Sequence, residues 1–324
     1  MSLFLKRLRR VIGLFLKPPK NKLSWDIDFS YEHVQFSGQI VSDIIKQELL
    51  SNKPSLITRF GSDVLMCAMD YWNQPNLKNT LRFLSQRVDS LGWRHWTREL
   101  MWNNAGFYPP TDENLSKYAQ LIYDLIPEID ILGTIMKQES FFEKELSRAK
   151  KVKLEDLEPY YYNDPWSIAL KGKNVLVIHP FEKTIQYQYK NNRELLFENK
   201  NVLPEFNLLT IKAVQSIAKN NSEFTTWFDA FEYMKQEIDK KEFDVAIIGC
   251  GAYGMPLAGY VKSLGKKAIH LGGATQLLFG IKGKRWEEDE NREFYKAMFN
   301  EHWIRPLKED YPIGYEQIEN GCYW

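Results

Sequence analysis

Apolar and polar positions along this chain fall into blocks of two kinds, and their alternation predicts an α/β protein. Short, continuous apolar runs bounded by Gly, Pro or charge read as buried strands. Residues 54–61 (Pro-Ser-Leu-Ile-Thr-Arg-Phe-Gly), 174–179, 206–212, 243–249 and 267–272 have this form, and 129–133 forms a shorter one. Helical periodicity fills about 37–52, 183–198, 225–240 and 253–264, and residues 62–150 are mainly helical with a break at Pro109-Pro110. Strand and helix alternating at this spacing predict a Rossmann-like, mostly parallel sheet flanked by helices, with a helix-rich N-terminal half.

The blocks divide the chain into a basic amphipathic tail (1–24), a helix-rich part (25–165), a Rossmann-like part (166–286) and a C-terminal helical and irregular extension (287–324). The tail ends at Pro18-Pro19, and 20–31 reads as a linker. Its longest apolar run, 11–16, is too short for a membrane span or a signal-peptide core. Leu3, Phe4, Leu5, Leu8, Val11, Ile12, Phe15 and Leu16 are interleaved with Lys6, Arg7, Arg9, Arg10 and Lys17. Such a stretch suits peripheral contact of residues 1–18 with the headgroups of an inner membrane, or a helix docked on the body of the protein.

Charge and cysteine narrow the picture. The 43 basic residues against 42 acidic ones exclude the broad positive surface of a nucleic-acid binder. Cys67, Cys250 and Cys322 are far apart, with no CxxC pair, which points to a reduced, cytoplasmic chain without a structural zinc. Aromatic residues make up 14% of the chain, and besides filling cores such rings stack on sugar faces. The aromatic end Cys322-Tyr323-Trp324 suits coverage of an interface.

Candidate chemistry gathers at strand ends. The turn Gly249-Cys250-Gly251-Ala252-Tyr253-Gly254 matches GxGxxG between a strand and a helix. Glycines there allow a tight turn, and helix N–H groups would face a phosphate; the alternative is a purely structural turn. A dinucleotide site would carry an acid at the end of the next strand, where His270-Leu271-Gly272-Gly273 stands instead, so an NAD-type oxidoreductase is disfavoured. Gly272, Gly273, Thr275 and Gln276 form a second Gly-rich loop, with Thr275 as a ligand contact or a helix cap. His179 ends another strand and suits a base, a phosphate donor or a metal ligand; Lys183, Thr184, Gln188 and Arg193 follow within a few turns. Arg59, Gly61, Ser62 and Asp63 end the first strand: Arg59 to pair a diphosphate, and Asp63 to ligate Mn²⁺ or Mg²⁺, unless Ser62 or Asp63 is a helix cap.

The block 243–258 together with 265–272, and Arg59-Phe60-Gly61, resemble the GT-D-fold bacterial glycosyltransferases, over roughly residues 55–290. The resemblance implies a nucleoside-diphosphate sugar donor and a glycolipid or oligosaccharide acceptor in capsule or O-antigen polysaccharide biosynthesis. It also implies a metal and diphosphate site at an Arg-Phe-Gly segment followed by Asp-x-Glu. Here that segment reads Ser62-Asp63-Val64, so Val64 takes the Glu position. Asp63 then acts alone or with another carboxylate such as Asp130, or the chain is a catalytically impaired scaffold or sensor that binds nucleotide sugars.

Overall fold

The protein is described from a computed structural model, which covers residues 3–15, 27–216, 223–288, 293–312, 314–317 and 320–324. Pro18-Pro19 and residues 20–26 of the expected linker lie outside the described residues. Among the described residues seven strands form one sheet: β1 (Ser55–Arg59), β2 (Ile131–Thr134), β3 (Lys150–Lys153), β4 (Asn174–His179), β5 (Asn207–Lys212), β6 (Val245–Ile248) and β7 (Lys267–His270). Their order is β3-β2-β1-β7-β6-β4-β5, and every pairing is parallel. The sheet crosses the boundary near residue 165, so the two central parts share one framework.

Twelve α-helices are found among the described residues: α1 (Leu3–Phe15), α2 (Gln39–Leu50), α3 (Ser62–Trp72), α4 (Leu77–Leu84), α5 (His95–Asn103), α6 (Asp112–Leu125), α7 (Glu182–Asn192), α8 (Trp227–Asp239), α9 (Gly254–Ser263), α10 (Ala274–Leu278), α11 (Lys284–Glu287) and α12 (Glu293–Met298). Successive strand residues point to opposite faces, so the apolar runs feed two cores. Leu56, Leu176, Ile178 and Ala268 pack with α3, α6, α8 and α9 on one face. Ile57, Val175, Val177 and Ile269 pack with α2, α7 and α10 on the other. Local signals set several boundaries: Thr226 and Asp229 form a capping box at the start of α8, and Thr111 caps α6.

Strand β3, Lys-Lys-Val-Lys, has no apolar run to announce it. It is an edge strand, where lysines discourage pairing with another chain. The amino ends of the strands are tied by carboxylates: Asp130 accepts from the Leu56 N–H at 2.8 Å, and Asp244 accepts from the Asn174 N–H at 2.8 Å. Asp130 also pairs with Lys262 at 2.9 Å. That places Asp130 at the end of the sheet opposite the strand carboxyl ends, so it does not complete a site with Asp63.

The described part of the tail is helix α1, docked on α4. Arg9 turns inward, pairing with Asp89 at 3.2 Å and lying over the Phe83 ring, so it is not among the cations available to headgroups. Among the described residues no helix is long and apolar enough to cross a membrane.

Glycines in the two Gly-rich turns are required by packing. A Cβ on Gly254 would stand 2.2 Å from Nε2 of His270, and one on Gly249 would stand 2.5 Å from the backbone oxygen of Gly272. Gly61 differs: its φ is −78° and an added Cβ meets only Val64, at 3.7 Å. Gly254→Ala is therefore expected to cost about 1–3 kcal/mol through overpacking, and Gly61→Ala within about 0.5 kcal/mol. Denaturant unfolding of both variants checks this, and equal losses would contradict the packing assignment.

Candidate functional site

The connections leaving adjacent strands run to opposite faces: β4 passes to α7 on one side, while β6 passes to α9 on the other. A crevice must open outside the carboxyl ends where neighbouring connections diverge. A cavity of about 520 Å³ lies there, within the usual range for small-molecule sites.

Its walls come from strand ends far apart in sequence. Arg59, Gly61, Ser62 and Asp63 follow β1; His179 and Phe181 follow β4; Gly249, Gly251, Ala252 and Tyr253 follow β6; Gly272, Gly273 and Gln276 follow β7. Thus twelve of the fourteen candidates border one space. The two others are Gly254, which packs on His270, and Thr275, whose hydroxyl donates to the Ile248 carbonyl at 3.3 Å. Thr275 is a tie between turn and strand, not a helix cap, since α10 begins at Ala274 with Gly273 as its N-cap and no side-chain cap. Thr184, Gln188 and Arg193 are engaged elsewhere: Thr184 with Asp310, Gln188 with the Gly280 and His302 carbonyls, Arg193 with Glu194. Neither they nor Lys183 line the cavity.

Arg59 dominates the electrostatics. It is half-buried, and among the described residues its guanidinium makes no hydrogen bond and no ion pair. Burial lowers its pKa, while Tyr323 and Glu139 act in the opposite direction. Gly272 makes room for it: φ is +62° there, and an added Cβ would stand 3.4 Å from Nη1 of Arg59. A second cation, Arg285, donates to the Tyr323 hydroxyl at 2.8 Å and stacks over that ring at 4.7 Å. Against these two arginines the described lining residues hold one side-chain carboxylate, Asp63. Among the described lining side chains cations therefore outnumber carboxylates, which suits an anion.

Helix α3 begins at Ser62 with Gly61 as its N-cap and no side-chain cap, so neither Ser62 nor Asp63 serves as the cap. The Ser62 hydroxyl instead donates to Asp63 at 3.3 Å. The turn after β6 spends much of its backbone on folding. The Ala252 N–H bonds the Ala105 carbonyl at 2.9 Å, the Tyr253 N–H bonds Cys250, and Tyr118 holds the Ala252 carbonyl at 3.0 Å. Gly251, with φ +55°, sits where a Cβ would be 2.8 Å from the same Ala105 carbonyl. This turn is a shaped wall more than an open phosphate loop. Burial raises the Cys250 thiol well above its usual pKa, which makes it a poor nucleophile.

Both histidines of the rim are buried, and burial lowers each to a pKa of about 3. Nδ1 of His179 accepts from the Phe181 N–H at 3.0 Å. That leaves the proton on Nε2, so His179 meets the cavity as a neutral donor and its lone pair is not available for a base. His270 is bonded to the Thr58 hydroxyl at 3.0 Å and occupies the place where a dinucleotide site would carry its acid.

Several lining residues carry no local sequence signal. The chain end folds back over the cavity: Tyr323 and Trp324 line it, Gln276 donates to the Tyr323 carbonyl at 3.2 Å, and Trp324 meets Phe181 edge-on at 5.6 Å. The aromatic end thus borders the cavity. Asn104–Gly106 and Val214–Ser216 complete the far wall. Glu139 lies just behind Ile135 and Met136, which line the cavity; it bonds Thr134, has one oxygen with no hydrogen-bond partner, and is pushed up by burial to about 7.

Among the described lining residues, Mn²⁺ or Mg²⁺ finds one side-chain carboxylate here. Among the described residues no three His, Cys, Asp or Glu side chains converge to hold a metal. Asp63 suffices only for an ion that brings phosphate and water ligands with it, as Mg²⁺ commonly does. No protein-family model, no curated protein and no solved structure matches the chain.

The buried groups set opposite pH dependences. Unfolded histidine takes up a proton below about pH 6.5, whereas His179 and His270 stay neutral in the fold down to about 3. Their effect is a loss of stability as pH falls below about 6.5. Glu139 acts in reverse: its contribution is full below the unfolded carboxyl pKa of about 4.3 and is lost as pH rises through about 7. His179→Asn, which keeps an acceptor for the Phe181 N–H, should flatten the acid limb of a melting-temperature profile. Glu139→Gln should flatten the decline between about pH 5 and 8. Unchanged profiles would contradict the buried, neutral assignments.

Proposed function

We propose that the protein is a glycosyltransferase that binds a nucleoside-diphosphate sugar in this cavity. In this reading it moves the sugar to a lipid-linked or polysaccharide acceptor, at the cytoplasmic face of the inner membrane, in surface polysaccharide biosynthesis. The observation that carries the reading is Arg59, a half-buried cation with no partner of its own among the described residues, lining a cavity at the carboxyl ends of a parallel sheet. The resemblance of Arg59-Phe60-Gly61 and of 243–272 to the GT-D-fold enzymes supports the same choice.

The reaction asks little covalent chemistry of the protein. The acceptor hydroxyl oxygen bonds to the anomeric carbon, the bond from that carbon to the diphosphate oxygen breaks, and its electron pair leaves on the phosphate. Catalysis then lies in stabilising the departing charge. Arg59 pairs the diphosphate, with Arg285 beside it and the uncapped start of α3 adding N–H donors. When bound, Mg²⁺ or Mn²⁺ would neutralise part of the diphosphate charge, and Asp63 is the described lining side chain that would hold it. Asp63, the carboxylate among the described lining side chains, is also the group we assign to the acceptor proton, a role His179 cannot fill with its lone pair committed to Phe181. Tyr323, Trp324 and Phe181 offer ring faces and edges to the sugar or base. Val64, where the family pattern has Glu, favours the second reading, a nucleotide-sugar-binding scaffold or sensor that does not turn over.

Calorimetric titration with a panel of nucleoside-diphosphate sugars, with and without Mn²⁺, tests the reading. Binding by the wild type is expected, and Arg59→Ala should weaken it by about 1.5–3 kcal/mol, roughly ten- to hundredfold in Kd. Arg59→Lys should recover only part of this, because an ammonium cannot reproduce the bidentate fork. Binding with neither transfer nor donor hydrolysis selects the scaffold; no binding across the panel rejects both readings.

A further inference from the structure

Helices α1 and α4 pack together away from the cavity and leave an unusual surface. The inner stripe of α1 is occupied: Leu5 packs on the core, Arg9 is bound to Asp89, and Gly13 lies so close to Gln86 that a Cβ would come within 2.0 Å of its Nε2. The outward stripe is apolar, with Leu3, Phe4, Val11, Leu14 and Phe15 between 53% and 83% exposed. Exposed Lys6, Arg7 and Arg10 stand among them. Helix α4 adds Leu77, 79% exposed, Leu81, 57% exposed, and the exposed Lys78.

Neither helix contains Asp or Glu, although the chain as a whole has nearly equal numbers of acids and bases. The face is therefore locally cationic as well as apolar. Water disfavours the exposed apolar side chains, and the interleaved cations would repel a second copy of the same face. A bilayer rich in anionic headgroups satisfies both: its acyl boundary takes the apolar side chains of an interfacial helix, and its phosphates attract the Lys and Arg flanking them.

We propose that α1 and α4 together form the membrane-docking surface of this protein, and that their partner is an anionic lipid bilayer. The proposal extends the membrane side of the reading above, adding α4 to the tail, and does not depend on the sugar-nucleotide chemistry. Co-sedimentation of the full chain with phosphatidylcholine vesicles, with and without one third phosphatidylglycerol, tests it. The expected result is at least about tenfold tighter binding to the anionic vesicles, weakened by salt. Arg7→Glu with Arg10→Glu should abolish the preference, and Leu77→Glu with Leu81→Glu should lower binding several-fold. These side chains are exposed, so circular dichroism should show folded variants; Leu14→Ser provides a milder third variant. Equal binding to both vesicle types, no binding to either, or α4 variants that bind like wild type would overturn the proposal. So would a light-scattering mass of a dimer that Leu14→Ser converts to a monomer. Arg59→Ala is expected to bind vesicles normally, and the vesicle-binding variants to titrate sugar nucleotides normally in solution, which separates failure of this proposal from failure of the functional reading.

Discussion

A cation held at the end of a buried strand, with no counter-ion bonded to it among the described residues, is the constraint around which this site is arranged. Taking a guanidinium partly out of water costs free energy unless charge is supplied in return. Arg59 receives the more distant influence of Tyr323, Glu139 and Glu158, set against that of Arg285. Much of the surrounding sequence makes that position tenable. Gly272 leaves space beside Nη1, and Gly249 lets the Gly272 loop close down on the end of β6. His270 stays neutral beside it, where a charged imidazole would repel it. An anionic ligand would complete what the fold leaves unfinished.

Topology turns that local imbalance into a cavity. Because β1 and β6 send their connections to one face while β4 and β7 send theirs to the other, four strand ends border one opening. The aromatic chain end closes the opening from above, with Arg285 pinned to Tyr323. Sheet, loops and chain end thus each supply a different part: charge from β1, shape from the turns after β6 and β7, and ring surface from residues 323–324.

Much of this was legible in the sequence, and the reasons are physical. Buried parallel strands have to be continuous apolar runs, so β1, β4, β5, β6 and β7 show themselves. A Gly at a strand end marks a place where backbone or ligand comes close, so the rim residues could be named. What escaped follows other rules. Strand β3 is written in lysines because it lies at an edge. Glu139, Arg285, Tyr323 and Trp324 reach the site through tertiary folding alone, with no spacing that relates them to β1. The GxGxxG match is instructive in another sense, because Gly249 and Gly254 already have a packing reason in Gly272 and His270.

The most direct measurement is a structure of the protein crystallised with a nucleoside diphosphate and Mg²⁺ or Mn²⁺. The account predicts diphosphate oxygens paired bidentately by Arg59, with Asp63 at the ion and the ligand's rings against the aromatic chain end. A diphosphate bound elsewhere, or one lying in the cavity while Arg59 turns away toward Glu139, would contradict it.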